Sequence, residues 1–171
     1  MTSVNKQPRN LTITSMDEEI QNWVYNFVSR PNPLLNNFPP CPFAKKAILD
    51  ERVSIQKFKN WDELSHVAAD WDDSLDVAIW WFYSDRPFES MLETKLQFNT
   101  VWKPHDMWLL MDHPENYELV SGVEMNFGLA GLLLLQRFST LVNASNTLDA
   151  QGYYASWSDD DKEFVRRRNK L

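Results

Sequence analysis

A single cysteine, Cys41, and only four glycines among 171 residues remove several familiar protein classes at once. One cysteine excludes an internal disulfide and every paired-cysteine metal site. The few glycines form no phosphate-cradling loop, and no Gly-x-Ser-x-Gly elbow is present to raise a serine nucleophile. No stretch approaches the roughly 18 consecutive apolar residues that cross a bilayer. The first residues, Met1 to Pro8, are polar where a secretion signal is apolar. Basic residues are in deficit: 17 Lys and Arg face 24 Asp and Glu, a formal net charge of -7. Affinity for nucleic acid comes from cations that displace condensed counterions, so this balance disfavours it. The expectation is an acidic, cytoplasmic protein that engages neither nucleic acid nor membrane.

What the chain does have is aromatic bulk, with eight Trp, ten Phe and five Tyr. Its length suits one domain, able to bury about two-thirds of its unfolded surface without cross-links. Residues 1–14 show no apolar period and read as a loose arm, leaving residues 15–171 as a single domain. Ser15 to Glu18 forms a capping box, and Ile20, Trp23, Val24, Phe27 and Val28 follow at helical spacing until Pro31. Asn32 to Pro42 carries four of the nine prolines and predicts a stiff extended connector, with a short helix from Pro42 to Glu51 behind it.

An alternation follows. Val53 to Phe58 reads as a strand, and Trp61 to Asp72 as a helix capped by Asn60. The run Val77 to Tyr83 is apolar throughout, which suits a strand covered on both faces. A helix over Pro87 to Trp102, strands over Met107 to Met111 and Leu132 to Arg137, and a helix over Phe138 to Ala150 come next. Tyr117 to Val123 fits a strand or a loop. The terminal run from Ser158 to Lys170 places acid first and base last, as a helix dipole favours. The sum is an α/β or α+β domain with a mixed, mainly four-stranded sheet and helices packed on it.

Chemistry-bearing residues are few. Pro42 suits a first helical position, which would set the Cys41 thiol beside a helix N-terminus with Lys45 and Lys46 one turn on, and both features favour thiolate. The alternative is a buried small hydrophobe. Asp112, His113, Pro114 and Glu115 end the third strand, while Ser84, Asp85 and Arg86 end the second. If these strands run parallel, both groups open on one sheet edge, where α/β folds bind ligands. His113 there could be a general base, or a surface residue at a strand end. His113 and Glu115 with His66 or His105 supply the residue types of a two-histidine, one-carboxylate metal site, although three histidines in all make such a set easy to meet by chance. Arg137, at the end of a leucine run, needs a carboxylate from Glu124, Asp85 or an anionic ligand. Tyr153, Tyr154 and Trp157 could cover a pocket or meet a partner chain.

The run Pro39-Pro40-Cys41-Pro42-Phe43-Ala44-Lys45, followed by Asp112-His113-Pro114-Glu115-Asn116-Tyr117, resembles an uncharacterised bacterial family, the domain of unknown function numbered fourteen-fifteen. That family carries Asn-x-Cys-Pro-Phe-Ala-Lys, then Phe-His-Pro-Asp-Tyr, then Pro-Tyr-Pro-x-Leu-His-Leu-Leu-Arg. Leu129 to Arg137 keeps the arginine of the last motif without its prolines or histidine. The resemblance spans residues 18–150 and brings no established reaction. It implies that Cys41, Lys45, His113 and Arg137 belong together.

The expected function is a small-molecule-modifying enzyme or ligand-binding domain. Cys41 would be nucleophile or redox thiol, His113 its base, and Arg137 the clamp on a carboxylate or phosphate, with Asp85, Arg86 and Glu124 near the substrate. The alternatives are a non-catalytic interaction domain, with a protein partner or a second copy, and a metal-dependent oxygenase or hydrolase using His113, Glu115 and His66. No cofactor is specified by the sequence.

Overall fold

The computed structural model describes residues 14–83 and 85–170, so nearly all of the arm expected at 1–14 lies outside the described residues. The first helix, α1 (Met16–Trp23), opens on the Ser15/Glu18 capping box and runs on as a π-helical turn through Val28. A short helix, α2 (Ala44–Leu49), follows the proline connector. The order then becomes β1 (Val53–Lys57), α3 (Trp61–Ala69), β2 (Val77–Phe82), α4 (Phe88–Trp102), β3 (Met107–Asp112), β4 (Leu119–Val120), β5 (Val123–Glu124), β6 (Gly131–Arg137), α5 (Phe138–Ala150) and α6 (Asp159–Lys170).

The main sheet has the order β1-β2-β6-β3. β1 and β2 are parallel, and β6 enters antiparallel between β2 and β3. β2 and β3 therefore point the same way, although they are not neighbours in the sheet. The segment fitting strand or loop, Tyr117 to Val123, resolves into a two-stranded hairpin of β4 and β5 whose turn places Ser121 and Gly122 at φ 51° and 83°.

Strand alternation divides the core between two faces. Ala78, Trp80 and Phe82 of β2, with Leu133 and Leu135 of β6, pack under α3 and α4 beside Leu64, Ala68, Met91 and Phe98. Val77, Ile79 and Trp81, with Leu132 and Leu134, face α1 through Ile20 and Trp23. A continuous apolar strand is explained by this double cover. Gly131 pairs with Phe82, and the ring of Phe82 lies where a side chain at 131 would stand. A satellite cluster of Leu148, Tyr153, Tyr154 and Val165 joins α5 to α6. In α6, Asp159 to Asp161 occupy the first turn, Arg167 and Arg168 the last, and Ser158 accepts the Asp161 N–H.

Candidate functional site

Cys41 follows the helix that covers the second face. Its N–H donates to the Val28 carbonyl at 2.9 Å, and the Tyr153 hydroxyl donates to the neighbouring Pro40 carbonyl. The thiol lies just ahead of α2, where the backbone N–H groups of Phe43 and Ala44 pull its pKa down. Burial outweighs them and pushes it up. The activated thiolate expected from helix position and nearby lysines is thus corrected: desolvation of the charged form is the larger effect. Lys45 and Lys46 are exposed, and Lys46 pairs with Asp50 one turn on.

His113 does lie at the common edge of β2 and β3, as the shared strand direction requires. It is 1% exposed, and both ring nitrogens are engaged. Nδ1 accepts the Glu115 N–H at 3.1 Å, which leaves Nε2 to donate to the Arg86 carbonyl at 2.8 Å. The rings of Phe82 and Phe88 close over it at centroid distances of 5.6 and 5.5 Å. The imidazole pins the loop after β2 to the end of β3, and neither nitrogen is left to take a proton from Cys41. Among the described residues the two share no hydrogen-bond or ring partner.

The rest of that edge is likewise consumed. The Arg86 guanidinium lies 4.9 Å over the Phe58 ring and reaches the Lys59 carbonyl, while Asp85 sits in an exposed turn. A Glu115 oxygen accepts the Phe88 N–H at 3.2 Å and so caps α4, which begins behind a proline and lacks a side-chain cap of its own. Glu124 is exposed on the β4-β5 hairpin, and His66 is exposed on α3. Among the described residues no group of three His, Cys, Asp or Glu side chains could hold a metal ion. The His113, Glu115 and His66 grouping is therefore not assembled.

Arg137 lies at the other end of the sheet. It pairs with Met107, whereas Asp112, next to His113, pairs with Leu132. Along β3 the position opposite Arg137 and His113 lie six residues apart, roughly 20 Å of backbone. Cys41, His113 and Arg137 thus do not share one site.

What does gather around Arg137 is a hollow of about 490 Å³, lined by Ala68, Ala69, Trp71, Trp102, His105 and Arg137. Each wall has a local cause. α3 ends in the small residues Ala68 and Ala69, which leave space beside Trp71. α4 ends at Trp102, stacked on Phe98 at 5.9 Å and with the His105 ring tilted against it at 5.6 Å. Asp106, at φ 61°, turns the chain into β3, and its carboxylate accepts both the N–H and the hydroxyl of Ser139 at 2.7 Å. That contact caps α5 and fixes the β6-to-α5 junction from which Arg137 projects.

Neither Glu124 nor Asp85 pairs with Arg137. Its Nε and Nη2 both donate to one oxygen of Asp73, at 2.9 and 2.7 Å. The Asp73 side chain is 75% exposed, and an ion pair so open to water contributes about 0–1 kcal/mol. The Nε1–H of Trp71 is buried without a hydrogen-bond partner among the described residues. Trp71, Trp102, His105 and Asp73 are the members of this site that sequence patterning missed. Tyr153 and Tyr154, read as covering a pocket or meeting a partner chain, are buried, and Tyr154 packs edge-on against both Tyr153 and Trp157.

No family model matches the chain, and neither the curated proteins nor the solved structures contain a match to it.

Proposed function

We propose that this protein is a small-molecule-binding domain whose site is the hollow at the end of β6, and that its ligands are small organic anions held by Arg137. The observation that carries this reading is the guanidinium on the wall of a space large enough for a ligand, restrained among the described residues by one exposed carboxylate. A fixed guanidinium recognises carboxylate or phosphate through parallel N–H donors. The alanines and tryptophans of the wall suit the carbon skeleton of such a ligand. Support for covalent catalysis is weaker, because burial pushes the pKa of the Cys41 thiol up and the His113 ring is committed to backbone partners.

Calorimetric titration of the protein with acetate, benzoate and inorganic phosphate tests the reading. Saturable binding of at least one anion, weakened at least about tenfold by Arg137→Gln, is the expected result. Binding of none of the three, in protein whose circular dichroism shows it folded, would reject it.

A further inference from the structure

Resting on that reading, we infer that the ligand is a flat aromatic carboxylate, and that Asp73 occupies the clamp as an internal stand-in for the ligand's carboxylate. Two observations converge. Trp71 and Trp102 stand on the wall that carries Arg137, so the hollow offers indole surface next to a cation. Planar π-systems gain from ring contact beyond the area they bury.

The second is how Arg137 is engaged. Both of its bonded nitrogens converge on Oδ1 of Asp73. A carboxylate that presented each oxygen to a separate nitrogen would make the two-pronged pair for which the guanidinium is shaped. Asp73 holds the arginine in place, and an incoming carboxylate exchanges with it at small cost because Asp73 already stands in water. His105, its ring tilted against Trp102, adds an exposed imidazole to the same wall.

The probes are benzoate, indole-3-carboxylate, cyclohexanecarboxylate and inorganic phosphate, titrated calorimetrically into the intact protein. The two aromatic acids should bind about three- to tenfold more tightly than cyclohexanecarboxylate, which has equal charge and similar bulk without a π-face. Asp73→Asn, which keeps the side-chain shape and removes the competing charge, should tighten aromatic carboxylate binding severalfold.

Equal affinity for benzoate and cyclohexanecarboxylate, or preference for phosphate, overturns the aromatic assignment and leaves the anion site standing. Unchanged or weaker binding in Asp73→Asn overturns the stand-in role. Failure of every probe in both wild type and Asp73→Asn removes the site itself.

Discussion

The side-chain amide of Asn99 pairs with both backbone groups of Leu109: its Nδ2 donates to the Leu109 carbonyl at 3.0 Å, and its Oδ1 accepts the Leu109 N–H at 2.8 Å. Leu109 stands opposite Leu135 in β6, at a position where an antiparallel strand turns its own N–H and C=O away from its neighbour. Asn99 is 4% exposed and meets those outward groups as a further strand would. α4 thereby closes the open side of β3 with one residue.

Asn99→Ala should destabilise the protein by at least about 2 kcal/mol, since two buried backbone groups lose their partners and each such loss costs about 1–3 kcal/mol. Urea denaturation measures it. A change under about 0.5 kcal/mol would show that water reaches this edge.

Gly131 makes a different demand on its neighbour. A Cβ there would overlap the Phe82 ring, so Gly131→Ala forces the ring or the strand to move. The expected loss is about 1–3 kcal/mol, of the size found for overpacked cores. Phe82→Leu placed in the same chain should recover part of it, and a double-mutant cycle separates that coupling from the cavity made by the smaller side chain.

Burial sets the reactivity of Cys41. With its pKa held above the free-thiol value, alkylation by iodoacetamide should have its pH midpoint above about 8.5 and accelerate sharply on unfolding in urea. A midpoint below 7 would restore the thiolate and with it a role in chemistry.

Asp112 offers a test by pH. It accepts the Phe127 N–H and the Asn126 amide, each at 2.7 Å, and those bonds, together with nearby His113, pull its pKa down. Burial outweighs them and raises it. A carboxyl whose pKa is higher folded than unfolded contributes stability in full below the unfolded value of about 3.9, and loses it as pH rises through the folded value. The advantage of wild type over Asp112→Asn should therefore shrink as pH climbs from 4 toward 7, as read from denaturation curves across that range. An advantage that grows with pH contradicts the sign.

The helices and the four long strands were legible because each carries its own period, cap or stop: Ser15 and Asn60 as caps, Pro31 as a terminator, and the unbroken apolar run at Val77 to Tyr83. The site was legible only in part. Arg137 was marked by its place after a leucine run, but its partner Asp73 lies 64 residues earlier in a loop with no pattern of its own. His113 misled because Asp-His-Pro-Glu reads as a polar surface turn. Its burial depends on Phe82 and Phe88 closing over it from other elements, and no local spacing encodes that. The indoles of the hollow look like core aromatics in sequence. Only the small residues that end α3 open a space next to them.

The strand at the heart of the sheet is also the last of the sheet's strands to be synthesised. Until residues 131–137 emerge, the β1-β2 pair and β3 are separate pieces, each with a bare apolar margin. A nascent chain on the ribosome therefore cannot zip this sheet progressively from its amino end. Assembly is one late event closed by β6, and any stall before it leaves the flank of Val77 to Phe82 open to pairing with other chains.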